Sequence, residues 1–388
     1  MSDFRTVPFG RPWITDDDRK AVMEVLDGHI LTHGPQCGAF EAEFSAFLGD
    51  GAHCVTVSSC MAALHLAYLH FGIGPGDEVI VPAQTHTATA HAVEWVGATP
   101  VFVDCEAETG NLAADRIAAA ITPRTKAISV VHFVGIPCMI TPIMALAQRH
   151  GLKVIEDCAL AVGARYQGWH VGLFGDVGCF SFYPVKHLTT GEGGMFVTRY
   201  RDVADAVRKL RAFGVDRPHG ERTIPGMYDV PTLGLNYRMS EMQAALGRSQ
   251  LRRIVENLSR RRSNFEALKH ALASLFGENG RILHAVHADA ASSHYCMSIV
   301  LQGKLRGRRD DIVTRLNAAG IGTSVYYPHP VPRLDYYRSK YGYKATQFPF
   351  AAEISDQSLA LPIGPHIQKE DIEYMASRLR TVLQEVHS

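Results

Sequence analysis

Residues 153–198, KVIEDCALAVGARYQGWHVGLFGDVGCFSFYPVKHLTTGEGGMFVT, decide how this chain folds. Three short β-rich runs, KVIED (153–157), GCFSFY (178–183) and GMFVT (194–198), lie within it and are nearly continuous in apolar residues. A strand wetted on one face alternates polar and apolar residues, so this pattern fits a sheet covered on both faces. Working back toward the N-terminus, HCVTV (53–57), EVIV (78–81), TPVFV (99–103) and AISVV (127–131) read the same way. Between them stand helical patterns that end in glycine, such as CMAALHLAYLHFG, ATAHAVEWVG and PIMALAQRHG. Alternating β and α elements predict an α/β domain with a mostly parallel sheet flanked by helices.

Beyond residue 239 the character changes. MSEMQAALGRSQLRRIVENLSRRRSNFEALKHALASL (239–275) predicts one long helix. Strand-like HYCMSIVL (294–301), helical RRDDIVTRLNAAG, strand-like GTSVYY (322–327) and a final amphipathic helix over 368–386 follow. The expected division is a large α/β domain over 1–250, N-terminal segment included, and a smaller α+β domain over 251–388. Six arginines, at 248, 252, 253, 260, 261 and 262, are expected to form a solvated helix face.

Composition narrows the function. The 388 residues carry 39 Lys+Arg against 39 Asp+Glu, so the global basic footprint of a nucleic-acid binder is missing. No run of eighteen apolar residues and no charged-then-apolar leader is present, so a soluble cytoplasmic protein is expected. The eight cysteines have no CxxC pairing and several sit in apolar runs, which suits buried free thiols in a reducing compartment. The 19 histidines lack paired metal spacing, and no metal is expected.

Three segments lie where apolar strands end, the usual ligand-binding edge of an open α/β sheet. VSSCMAALHLA puts Ser58 and Ser59 at a helix start, where free N–H groups hold a phosphate, although a plain N-cap would look the same. Asp157 ends VIED and suits either a core ion pair or a pyridinium nitrogen. Lys186 lies between an aromatic run and a Gly-rich turn; a solvated surface lysine is the plain alternative to a desolvated amine that forms a Schiff base. Lysine, acid and phosphate cup together match pyridoxal 5'-phosphate (PLP) chemistry. The acid keeps the ring nitrogen protonated, and the released lysine carries a proton between carbons.

Ordered blocks along nearly the whole chain resemble the DegT/DnrJ/EryC1/StrS family of PLP-dependent sugar aminotransferases, which share the fold type I architecture. They include PFGRPWI, LTHGPQCGAFEAEF, VSSCMAALHLAYLHFGIGPGDEVIVPAQTHTATAHAVEWVGATPVFVDCEAETGNL, VIEDCALAVGA, FSFYPVKHLTTGEGGMFVT, LGLNYRMSEMQAALG, GIGTSVYY and LALPIGP. By position the resemblance implies that Lys186 is the Schiff-base lysine and Asp157 the partner of the pyridine nitrogen. It implies that Ser181 and the helix start at Ser59, Cys60 and Met61 bind the phosphate, and that His86 falls where a ring stacks on the cofactor. Asn236 matches a residue lent to the phosphate of the neighbouring subunit; the plain alternative is a cap for the helix beginning near Met239. Three positions depart from the family pattern: Cys60-Met61 replaces Gly-Thr, Leu160 replaces a Gln or His, and His86 replaces Phe or Trp.

The implied reaction moves the amino group of L-glutamate to a nucleotide-linked keto sugar in a homodimer with shared sites. LTTGEGG after the lysine resembles the branch that aminates C4 of 4-keto-6-deoxy hexoses. Alternatives are C3 amination, aminocyclitol amination and, from another class, a non-catalytic PLP-fold regulator. Lys186 itself argues against the sugar 3-dehydratase branch, in which histidine replaces it.

Overall fold

The computed structural model describes residues 4–49, 51–216, 224 and 227–387. Its strands are β1 (His53–Val57), β2 (Glu78–Pro82), β3 (Thr99–Val103), β4 (Thr125–Val131), β5 (Lys153–Asp157), β6 (Arg165–Tyr166), β7 (Trp169–His170), β8 (Val177–Ser181), β9 (Gly194–Thr198), β10 (Gly280–Ile282), β11 (Ala290–Ala291), β12 (Met297–Leu301) and β13 (Ser358–Leu361). The helices are α1 (Asp16–Leu26), α2 (Pro35–Leu48), α3 (Cys60–His70), α4 (Thr87–Trp95), α5 (Ala114–Ala120), α6 (Ile140–His150), α7 (Arg201–Leu210), α8 (Glu241–Leu251), α9 (Ile254–Phe276), α10 (Arg309–Ala318), α11 (Asp335–Tyr341), α12 (Pro349–Gln357) and α13 (Lys369–His387).

Seven strands form one sheet in the order β1-β9-β8-β5-β4-β2-β3, and β9 alone runs against the rest. The continuous apolar strands have a direct cause, because successive side chains enter two different cores. Val55, Val79, Val81, Ile155 and Phe196 pack with α3, α4 and α7. Cys54, Ile80, Val154, Phe180 and Val197 pack on the other face with α2, α5, α6 and α8. A smaller antiparallel sheet, β10-β12-β13, builds a third core with α9, α10 and α13. The N-terminal segment joins that core: Val7 is buried in it and bridges to Ile321.

Three sequence expectations change. The long helix over 239–275 is two helices, α8 and α9, divided at Arg252–Arg253. α8 belongs to the core behind the main sheet and α9 to the third core, and Arg253 ties the joint to Asp18 Oδ2 (2.7 Å) and the Trp13 carbonyl (3.0 Å). GTSVYY is no strand, having a single bridge from Ser324 to Ala360. The arginines are not one solvated face: Arg248 pairs with Glu43, Arg253 with Asp18, and Arg261 is buried. Only Arg252, Arg260 and Arg262 are exposed. Among the described residues no helix is long and apolar enough to cross a membrane.

Candidate active site

The carboxyl ends of β1, β2, β5 and β8 converge on one edge of the sheet. Asp157 ends β5 and is buried. Its Oδ2 accepts from Thr89 Oγ1 (2.8 Å), and its Oδ1 accepts from the Ala159 amide (3.0 Å) and lies 3.7 Å from Cys60 Sγ. Burial pushes the Cys60 thiol well up, so it stands as a neutral S–H donor beside the acid. None of these donors is charged. A buried carboxylate without a cation is costly unless something else answers it.

One amine couples to this charge without pairing with it. Lys186 is partly buried in the 182–193 connection between β8 and β9, its Nζ 5.1 Å above the Tyr295 ring. Removal from water lowers its pKa to about 8, partly offset by the negative charge of Asp157. It forms no ion pair among the described residues. Tyr295 Oη is 2.9 Å from Tyr326 Oη, and Tyr327 stands edge-on to His86 at 5.5 Å.

The phosphate-cup residues meet around one glycine. Gly194 pairs with Val57 on one side and Ser181 on the other. A Cβ at Gly194 would fall 2.5 Å from the Ser59 carbonyl carbon, so only glycine lets the α3 N-terminus seat there. Ser59 is the N-cap, its side chain accepting from the Ala62 amide at 3.1 Å. The Cys60 and Met61 amides of that first turn have no acceptor among the described residues, which leaves two donors for an anion. The Met61 side chain packs on the apolar core, and Ser181 Oγ accepts from the Tyr183 amide at 3.4 Å. A buried acid, a desolvated amine and a helix start with free amides are the donor set PLP requires, and the residues fit it.

Two departures read plainly. His86 is exposed and caps α4, its Nδ1 accepting from Ala88 at 3.1 Å. Leu160 is buried and apolar, offering its carbonyl to Ser293 Oγ at 2.9 Å and no polar side chain to a ligand. The helix-cap alternative for Asn236 falls, because Ser240 caps α8 with a full capping box to Gln243. Asn236 is exposed, next to Tyr237, whose carbonyl accepts from Ser58 of the same chain at 2.8 Å.

Sequence reasoning assigned no role to Thr89, Arg261, Tyr295, Tyr326 or Tyr327. THTATAH and GTSVYY offered a signal, as clustered hydroxyls and rings beside a predicted strand end. Next to Asp157 in the chain, the side-chain donor atoms of His132, Glu156 and Cys158 lie within 4.8 Å of one another. Glu156 is already saturated there, accepting from Gly172 (2.8 Å), Phe174 (2.8 Å), Gly175 (2.7 Å) and His132 Nε2 (3.0 Å). His132 Nδ1 in turn accepts from the Cys138 amide at 3.0 Å.

A doubly covered, mostly parallel sheet with this acid and amine at its carboxyl edge is the arrangement of a PLP-dependent enzyme. The profile of the DegT/DnrJ/EryC1/StrS aminotransferase family matches residues 12–380, and the chain belongs to that family. It is 40% identical over 373 residues to the UDP-N-acetyl-3-dehydro-alpha-D-glucosamine 3-aminotransferase of Acidithiobacillus ferrooxidans, covering 95% of each chain. It is 38% identical over 391 residues to GDP-perosamine synthase of Caulobacter vibrioides, covering 99% of this chain and 100% of that one. The PLP form of Spr1654 from Streptococcus pneumoniae, assigned as a sugar aminotransferase, superposes with a TM-score of 0.91 at 29% identity, covering 98% of this chain and 100% of that one.

Proposed function

We propose that the protein transfers the amino group of L-glutamate to C4 of a nucleotide-linked 4-keto-6-deoxy hexose, for amino-sugar biosynthesis in the cytoplasm. The observation that carries the transfer is the uncompensated pair: a buried Asp157 carboxylate and a Lys186 amine at pKa about 8, neither in an ion pair among the described residues. Bound PLP supplies the electron sink through which an amino group leaves one carbon and enters another. Asp157 would hold the proton on its ring nitrogen, and Thr89 and the Ala159 amide fix the carboxylate that does so. Lys186 Nζ would take a proton at one carbon and return it at the other, a role suited to an amine half-neutral near pH 8. The Cys60 and Met61 amides, Ser59 and Ser181 would hold the phosphate.

The nucleotide-linked substrate is supported by the relatives, whose names carry UDP and GDP. It is also supported by a groove of about 580 Å³ bordered by Arg11, Arg19 and Arg260, which shares Arg11 and His366 with the cavity at Lys186. A diphosphate would find its counter-charge there. C4 rests on the resemblance of LTTGEGG; C3 is favoured by the name of the 40% identical relative. A panel of 3-keto and 4-keto nucleotide sugars with glutamate, followed by product NMR, decides. A 4-amino product is expected, and exclusive conversion of 3-keto sugars reverses the assignment.

A shared dimer site is supported by the exposed Asn236 and by apolar side chains left on the surface in the segment preceding it, with Leu233 92%, Met227 63% and Val230 49% exposed. Mixing Lys186→Ala with Asn236→Ala subunits should restore activity at limiting PLP above either parent, because one site of each heterodimer is intact. No recovery despite subunit exchange would assign Asn236 to its own chain, to which the neighbouring Tyr237 carbonyl is bonded.

A further inference from the structure

Arg261 carries a charge that the fold leaves unanswered. It lies on α9, is 6% exposed, and is the buried member of the six arginines. A buried guanidinium is normally matched by a carboxylate, because stripping water from a cation is expensive. No acid approaches it among the described residues; its electrostatic neighbours are Tyr295, Cys296 and Tyr326, and desolvation draws its pKa down to about 10. Its hydrogen bonds go to neutral acceptors: Nε to Asn257 Oδ1 at 3.0 Å, and Nη1 to the Tyr295 carbonyl at 2.9 Å and the His294 carbonyl at 3.5 Å. Nη2 has no acceptor among the described residues.

These bonds also aim the side chain. Asn257, which holds Nε, donates its amide to the carbonyl of His187 at 2.6 Å, one residue past Lys186. The guanidinium is therefore locked to the segment that carries the reactive amine. Arg261 and Lys186 line the same small cavity, of about 10 Å³, with Tyr295 and Cys296. That is room for one water-sized group, such as one oxygen of a carboxylate.

We propose that Arg261 binds the α-carboxylate of the amino donor. The inference rests on the reading of glutamate as that donor and adds where it is held. The α-carboxylate is chosen over the side-chain one because it is bonded to the carbon whose proton Lys186 must move, so it alone must sit in a cavity bordered by that lysine. A guanidinium with a free Nη2 edge matches a carboxylate oxygen in charge and in geometry. The keto sugar has no such group, so the two substrates should depend on Arg261 very differently.

The test uses holoenzyme of the wild type, Arg261→Gln and Arg261→Lys, with the denaturation midpoint as the fold control. Glutarate has both carboxylates, lacks the amine and cannot react. Its dissociation constant, read by spectral titration, should rise at least about tenfold in Arg261→Gln and less in Arg261→Lys. The half-reaction with L-glutamate should lose about 50-fold in kcat/KM, chiefly through KM, and the preference for glutamate over its α-amide should collapse. The return half-reaction, amino-form enzyme with keto nucleotide sugar, should stay within about threefold. Unchanged glutarate affinity in a folded Arg261→Gln, or equal loss in both half-reactions, overturns the assignment. Should neither variant fold, Asn257→Ala, which releases Nε and leaves the guanidinium in place, decides: weaker glutarate binding with an unchanged return half-reaction supports the assignment, and unchanged glutarate affinity overturns it. A wild type that binds glutarate but aminates no keto sugar would sink the proposed function and leave the carboxylate site standing.

Discussion

Two carboxylates stand side by side at the end of β5, and their surroundings differ in kind. The pleat turns Glu156 to one face of the sheet and Asp157 to the other. Glu156 is surrounded by donors that cannot change sense: three backbone amides and a histidine whose other nitrogen is fixed as an acceptor. Asp157 keeps one backbone amide, and its other partners are a hydroxyl and a thiol, which rotate to donate or accept. A carboxylate held by irreversible donors is an anchor. One held by adjustable donors can present its charge to a ligand.

The contrast makes its largest forecast for Asp157→Asn. Turnover should fall by about 10³-fold or more, because an amide cannot keep a ring nitrogen protonated. The denaturation midpoint should stay within about 3 °C, since Thr89 and Cys60 can turn to meet the amide. Half-reaction kinetics with glutamate check the first part, and unchanged rates would remove Asp157 from its role.

Glu156→Gln should behave in the opposite way. Its new NH₂ must face a backbone amide, so stability should drop by about 3 kcal/mol while turnover per folded molecule changes little. Denaturant titration measures this, and a variant as stable as the wild type would erase the distinction between the two acids.

The smallest effect sharpens the answering side of the pair. Lys186 in the apoprotein titrates near 8 rather than at its ordinary 10.5, so below pH 8 the fold carries a poorly hydrated charge. Between pH 8 and 10.5 the unfolded chain binds the extra proton, and stability contributed at this residue rises with pH. Apoprotein of Lys186→Met should therefore be more stable than wild type at pH 7, with the difference narrowing as pH passes 8. A gap independent of pH would mean that desolvation does not act on this amine.

Much of the acid's and amine's setting was legible because it is local. Asp157 follows a strand, Ser59 starts a helix and Gly194 starts another strand, and each is readable from neighbours within a few positions. The break at Arg252–Arg253 was not, because α8 and α9 each have good helical periodicity and only their attachment to different cores divides them. Thr89 was unread for a similar reason: its bond to Asp157 spans 68 positions. The arginine cluster misled most. Six cations at helical spacing look like a wet face until the partners arrive from Asp18 and Glu43, and from the carbonyls of 294 and 295.

By itself the sequence determined the alternation of strands and helices, the doubly buried sheet and the presence of a lysine, an acid and a phosphate cup in family order. Those properties follow from hydrophobic period and residue chemistry, which act over short spans of chain. Tertiary structure alone decided which acid is anchored and which is adjustable, and which arginine is stripped of water without an acid beside it. It also decided which aromatic rings wall the amine. Burial and hydrogen-bond partners at these positions come from segments tens to hundreds of residues away, and the energy of a polar group depends on those partners more than on its own identity.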